Sequence, residues 1–358
     1  MSADDIEDYW TNTTLTSGVA DTSGGLSQYL DVAVHDLPNS NEDERWITPE
    51  LKGVLFGHPE TGPWLRTYLL VDATLRKAVS KVFDLDMLDV EVRCLFKGEA
   101  AEDWKESAPY LIDMTLLDAA CDDPSQVPAF QRKFVADHWG HSTGIIIRSS
   151  ASMEVVWRHF RRFTRVQVEE DMRWSLFRFW DPRVAFPYFI GIRYWEERAR
   201  QFFTLPSASA TLSMIIESGS GGSCTQIGPS EVFGSPQNTA VLPFRLTPDD
   251  IALLEGGVRE RFIRDVAGQS AELWPHRRQI FETESGWQNE IRRLTQEASD
   301  AGLHLDRDIR DYIGITLDKG KPFWSRKDVQ AICSRPHLNT GTLRMLAVRN
   351  QLETGAIR

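Results

Sequence analysis

The 358-residue chain (40.8 kDa) has little of what usually announces a function. Its four cysteines, Cys94, Cys121, Cys224 and Cys333, lie far apart and form no CxxC pair, which excludes a zinc ribbon or thioredoxin-like motif and leaves buried free thiols as the expectation. Long apolar runs are missing. The longest, Val184 to Ile192, is bounded by Arg183 and Arg193 and is about half the length of a membrane helix, so no membrane insertion is expected. The opening residues, MSADDIEDYW, carry Asp4, Asp5, Glu7 and Asp8 where a secretory signal would place Lys or Arg before an apolar core, and a cytoplasmic protein is expected. Positive charge is also scarce: 40 bases against 52 acids give a net charge of -12, the wrong sign for a surface that binds nucleic acid throughout. The glycine-rich stretch Ser218 to Ser223 is followed by residues without helical period that include Pro229, so it fails as a dinucleotide loop. No phosphate loop and no GxSxG elbow occur, and no cofactor is expected.

Apolar residues at 41% and charged residues at 26% are nevertheless the balance of a chain that buries a core. The charge is unevenly placed. Residues 1–50 hold eleven carboxylates against Arg45 alone, so ten of the twelve net negative charges lie there. Residues 1–60 are read as an acidic, partly flexible extension. From Trp64 the texture changes to short apolar runs alternating with amphipathic stretches, the pattern of a mixed α/β lobe over residues 61–205. Thr67–Val71, Val90–Phe96, Tyr110–Met114, Gly144–Ile147 and Arg173–Trp180 read as strands. Met153, Val156, Trp157 and Phe160 form one face of a helix. Residues 206–245 are rich in Gly, Ser and Pro and contain two strand-like runs, Thr211–Ile216 and Ala240–Phe244; they read as a connector or as a hairpin with a long tip. Residues 246–358 read as a separate, mainly helical lobe that opens at Thr247-Pro248-Asp249-Asp250, with the threonine as N-cap. Gly256 and Gly257 are expected to bend or break its first helix.

The residues that could carry chemistry are few. His138 and His141 are the one close histidine pair, and without further ligands their expected role is capping a helix C-terminus. Asp72 and Asp113 stand at strand ends, where α/β enzymes place carboxylates, although a helix N-cap is the simpler role for Asp72. Arg158, Arg161, Arg162 and Arg165 fall at i, i+3, i+4 and i+7 and would form a cationic ridge beside the buried face of their helix. Such a ridge is either a solvated face or a dock for an acidic partner, the chain's own N-terminal segment included. In LFRFWDPRV, Arg178 lies between aromatics and needs a carboxylate, with Asp181, Asp72 or Asp113 as candidates; Trp180, Asp181 and Arg183 complete a strand-to-helix turn. These eight residues, the four of the ridge with Arg178, Trp180, Asp181 and Arg183, are the candidate partner contacts.

Four motifs, TYLLVDATL (67–75), SAPYLIDM (107–114), GIIIRSSASMEVVWRHFRRF (144–163) and LFRFWDPRV (176–184), resemble in sequence and order the adaptor family of type VI secretion systems. These are the Tap or Tec effector chaperones, catalogued as a domain of unknown function. A weaker likeness runs from Leu246 to Pro275. The resemblance implies a non-enzymatic chaperone of a Gram-negative bacterium that binds one cognate toxin, through that toxin's N-terminal or targeting segment, and helps load it onto the VgrG spike. It assigns no catalytic residues. Two rivals from other classes are an α/β hydrolytic enzyme using Asp72, Asp113 or the histidine pair, and an immunity protein that blocks a toxin, its acidic segment mimicking nucleic acid.

Overall fold

A computed structural model describes residues 26–29, 46–60, 62–116, 124–205, 210–217, 223–229 and 244–357. Most of the acidic extension, the tip at Gly219–Gly222, Cys121 and all but the last residue of the expected strand Ala240–Phe244 lie outside the described residues. The chain divides into two compact units, Met1–Gly257 and Val258–Arg358.

The first unit is built on an antiparallel sheet in the order β1-β10-β9-β5-β2-β4-β3: β1 Leu26–Tyr29, β2 Arg66–Asp72, β3 Val92–Cys94, β4 Pro109–Asp113, β5 Gly144–Ser149, β9 Ala210–Glu217 and β10 Cys224–Pro229. A two-residue strand, β8 (Thr204–Leu205), pairs with the start of β9. The 206–245 region therefore contributes a hairpin, β9–β10, to the main sheet. The strands read as unbroken apolar runs because both sheet faces are covered. Tyr68, Leu70, Ile145, Ile147 and Met214 enter one core, and the alternate residues Leu69, Val71, Ile146 and Ile215 enter the other.

The second of these cores is closed by helix α1 (Pro49–Phe56) through Leu51, Leu55 and Phe56, and by Phe130, Phe134 and Trp139. Thr48 caps α1 by accepting from the Leu51 N–H at 3.3 Å. The guanidinium of Arg148, buried on β5, donates to the Leu55 and Gly57 carbonyls, which neutralises the negative end of that helix. The stretch 46–57, read from sequence as part of the extension, is thus packed onto the sheet. Helix α2 (Ala73–Ser80) leaves directly from β2.

The other core is closed by α3 (Met153–Arg161), α4 (Pro182–Gly191), α5 (Glu196–Phe203) and the start of α6 (Pro248–Leu273). It is dense in aromatics: Phe163 stacks on Phe202 at 4.2 Å, and Phe177, Phe179, Tyr188 and Phe244 pack around them. A small second sheet, β11-β6-β7 (Arg245–Leu246, Arg165–Val168, Trp174–Leu176), pairs β11 with β6 in parallel and β6 with β7 antiparallel. The expected strand Arg173–Trp180 is shortened to β7 because Asp181 starts α4. Helix α6 continues through Gly256 and Gly257, against expectation. A Cβ on Gly257 would lie 2.7 Å from Cγ of Pro187, so glycine is there for the close approach of α4.

The second unit packs the remainder of α6 with α7 (Glu284–Asp300) and α8 (Asp306–Lys319) around Ile263, Trp287, Ile291, Leu294 and Ile313. A smaller core around Val329 and Val348 joins α9 (Lys327–Cys333) and α10 (Gly341–Glu353). The observed architecture is the expected one, an α/β lobe followed by a helical one. Among the described residues, no helix is long and apolar enough to cross a membrane.

Candidate functional site

Asp72 ends the interior strand β2 and caps α2, its Oδ1 accepting from the Leu75 N–H at 3.1 Å. Its Oδ2 accepts from Nη2 of Arg178 at 2.8 Å and from Nε1 of Trp180 at 2.9 Å, two donors from the turn between β7 and α4 more than a hundred residues on. Asp181 caps α4 in the same way. It accepts from its neighbour Arg183 through the backbone N–H at 3.0 Å and through a bidentate guanidinium at 2.8 and 2.7 Å. Arg178 lies 3.7 Å from Asp181 as well, and so ties the two caps together. Of the three carboxylates open to Arg178 in the sequence, the fold uses Asp72 and Asp181. Asp113 instead accepts from the Thr115 N–H at 2.9 Å in a local turn.

The knot is two-sided. Asp72, Trp180 and Asp181 are buried, whereas the side chains of Arg178 and Arg183 remain 42% and 44% exposed. A carboxylate at the positive end of a helix, with a guanidinium over it, is far cheaper to bury than a lone one. What faces solvent is the donor-rich rim of two arginines, which suits carboxylates and backbone carbonyls.

The other four arginines do not form a ridge. Helix α3 ends at Arg161, and Arg165 opens β6, so the i+7 relation never arises in space. Arg158 turns back to Glu154 at 2.7 Å. Arg161 lies over the Trp157 ring at 4.3 Å and donates to the Leu95 carbonyl at 3.2 Å. Arg162 turns the other way, donating to the Gln201 carbonyl at 2.5 Å, and burial pushes its pKa down to about 10. Arg165 stacks on Trp174, 4.9 Å from the ring centroid. Helical spacing groups four residues whose partners are scattered over α3 itself, Leu95 after β3, α5 and β7.

The histidine pair also departs from expectation. His138 closes a single π-helical turn, Phe134–His138, and is fully buried beside Phe134, with neither ring nitrogen partnered among the described residues. It caps nothing, and burial pushes its pKa down to about 4. Among the described residues no group of three or more His, Cys, Asp or Glu could hold a metal. Cys224 is buried, and Cys94 and Cys333 are half-buried free thiols.

Two further acids are buried by partners that the sequence does not disclose. Glu217, at the end of β9, receives the backbone N–H groups of Gly140, Ser142 and Thr143, yet burial still pushes its pKa up to about 7. Asp250, fully buried in the first turn of α6, accepts from Tyr188 Oη at 2.8 Å and from Nη2 of Arg198 at 2.6 Å. In sequence it reads as an acid of the Thr247-Pro248-Asp249-Asp250 helix start, but nothing local points to Tyr188 or Arg198 as its partners.

An open, arginine-rimmed knot on a two-faced α/β sheet defines a class of protein with a built polar surface and structurally engaged strand-end acids. Residues 67–197 match the family model of a domain of unknown function, DUF4123, and all four sequence motifs fall inside that span. No curated protein and no solved structure matches the chain.

Proposed function

We propose that the chain is a non-enzymatic adaptor that binds a cognate type VI secretion toxin and helps load it onto the VgrG spike. The observation that carries this reading is the use made of Asp72, the most enzyme-like residue in the sequence. Its two oxygens take a helix-cap N–H, a tryptophan N–H and an arginine, and the exposed part of the knot is a set of donors suited to protein recognition. The matched domain supports it further, since that family is known for association with type VI effectors. A toxin's apolar targeting segment needs cover before export, and a partner with exposed donors and apolar edges supplies it.

Co-expression with the toxin encoded beside this gene tests the proposal. A stoichiometric complex, with more soluble and more secreted toxin, is the expected result. No co-purification, with toxin solubility and secretion unchanged on deleting this chain, overturns it.

A further inference from the structure

Native sheets protect their edges, and one edge here is visibly protected. At β3 the outward carbonyl of Cys94 accepts from Nε1 of Trp157 at 2.8 Å, and the next carbonyl, Leu95, accepts from Arg161. The small sheet is left differently. Its inner face, Val166, Val168 and Leu246, is buried in the unit's core. Residues opposite one another in register share a face. The other face is therefore Arg245 beside Gln167 and Trp174, and Arg165 beside Leu176. Trp174 and Leu176 are 56% and 53% exposed, and Met172 at the preceding turn is exposed too.

The backbone of β7 is open as well. The bonds from Val168 N–H to the Arg173 carbonyl and from Phe177 N–H to the Thr164 carbonyl fix which residues of this strand point at β6. By antiparallel alternation, the N–H and C=O groups of Trp174 and Leu176 point outward. No described strand pairs with that side. Neither Arg165 nor Arg245 has a carboxylate partner among the described residues, and Trp and Arg are residues in which binding hot spots are enriched.

We propose that β7 is a docking strand: its free edge takes up a short extended segment of a partner protein that carries apolar and acidic residues together on one face, at every second position. The apolar side chains pack on Trp174 and Leu176, and a carboxylate meets Arg165. Charge complementarity selects an acidic segment over a basic one, because the paired residues of the exposed face include two guanidinium groups and no carboxylate; of the three acids in the turn beyond them, Glu169, Glu170 and Asp171, the last is paired with Arg173. The identity of the partner as a secretion toxin rests on the adaptor reading above; the docking strand itself does not.

The test uses the full chain and two labelled synthetic peptides, Val-Ser-Glu-Ser-Val-Ser and Val-Ser-Lys-Ser-Val-Ser, which keep valine and the charge on one face of a strand, followed by fluorescence anisotropy. The Glu peptide should bind about tenfold more tightly at low salt, with the difference shrinking as salt rises. Trp174→Pro removes an outward N–H without touching the bonds to β6 and should abolish binding; Arg165→Glu, which keeps the strand, should reverse the preference. Equal binding of both peptides, or binding unchanged in these variants, overturns the proposal. So does binding that appears only after residues 1–25 are deleted, which would make the chain's own acidic segment the occupant. Self-association lost in Trp174→Pro would make the occupant a second copy. Toxin co-purification that survives both variants keeps the adaptor reading and overturns β7 as its site; peptide binding without any toxin complex does the reverse.

Discussion

Asp72 and Asp250 are buried carboxylates in the same unit, made from the same parts and finished differently. Each stands at a helix start, and each accepts from one aromatic donor and one arginine: Trp180 and Arg178 for Asp72, Tyr188 and Arg198 for Asp250. At Asp250 the arrangement is sealed. Thr247 and Asp250 exchange bonds as a capping box, the Thr247 N–H and Oγ1 reaching Oδ2 at 2.8 and 2.9 Å, and Arg198 is only 14% exposed, lying over Phe244. At Asp72 the arginine keeps an open side. A sealed knot uses all its donors within the fold, whereas an open one holds the fold and still presents donors to another molecule.

The largest effect should therefore come from the sealed knot. Asp250→Ala leaves the buried Tyr188 hydroxyl without its acceptor and the largely covered Arg198 with only Gln201, and should cost about 3–5 kcal/mol, read as a shift in the denaturant midpoint. Asp72→Asn keeps one acceptor oxygen for the cap or for Trp180 and should cost about 1–2 kcal/mol. An Asp72→Asn loss equal to that of Asp250→Ala would break the comparison.

Both knots must be compared at one pH, because other buried groups make stability pH-dependent. His138 and His159 are pushed down to about 4 and about 3 by burial, and His159 donates from Nε2 to the Phe202 carbonyl at 2.7 Å. The unfolded chain binds protons that these folded residues refuse. Their contribution is complete above about pH 6.5 and is lost as pH falls toward 4, by about 3 kcal/mol for His138 alone. Glu217 works the other way: raised to about 7, its contribution is complete below about 4.5 and is lost as pH rises through 7. In denaturation series from pH 4 to 8, His138→Phe should flatten the acid limb and Glu217→Gln the decline toward neutrality. An acid limb unchanged in His138→Phe would show that this imidazole is not buried in its neutral form.

The two knots also differ in how far the sequence discloses them. Asp72 reads as a helix cap from TYLLVDATL, and Arg178 between two phenylalanines reads as a cation in need of a carboxylate, so half of the open knot is legible locally. The pairing itself is not, since it joins residues 106 positions apart by bringing the turn before α4 to the end of β2. The strands are legible because a sheet covered on both faces writes continuous apolar runs. The expected ridge does not form because α3 ends at Arg161 and the chain turns into β6, so helical spacing does not hold as far as Arg165. Glu217 is invisible, and Asp250 is legible only as a helix-start acid, because their remaining partners are residues folded over them and not neighbours in sequence.

The smallest expected stability effect carries the most information about function. In Arg178→Ala, Asp72 keeps the Leu75 and Trp180 N–H groups, and water can reach the space left by a side chain that is already 42% exposed. The loss should be about 1 kcal/mol or less, where Arg198→Ala at the sealed knot should cost more. Toxin retention should respond in the opposite order. If the open knot is a recognition surface, Arg178→Ala should lower recovery of the co-expressed toxin by about tenfold while barely moving the denaturation midpoint, since a hydrogen bond between charged groups at an interface is worth about 1.5–3 kcal/mol. Arg198→Ala, measured at a temperature where it is still folded, should leave recovery unchanged. Equal recovery in the two variants would mean that the exposure of Arg178 has no bearing on binding, and that the two knots differ only in how well the fold closes over them.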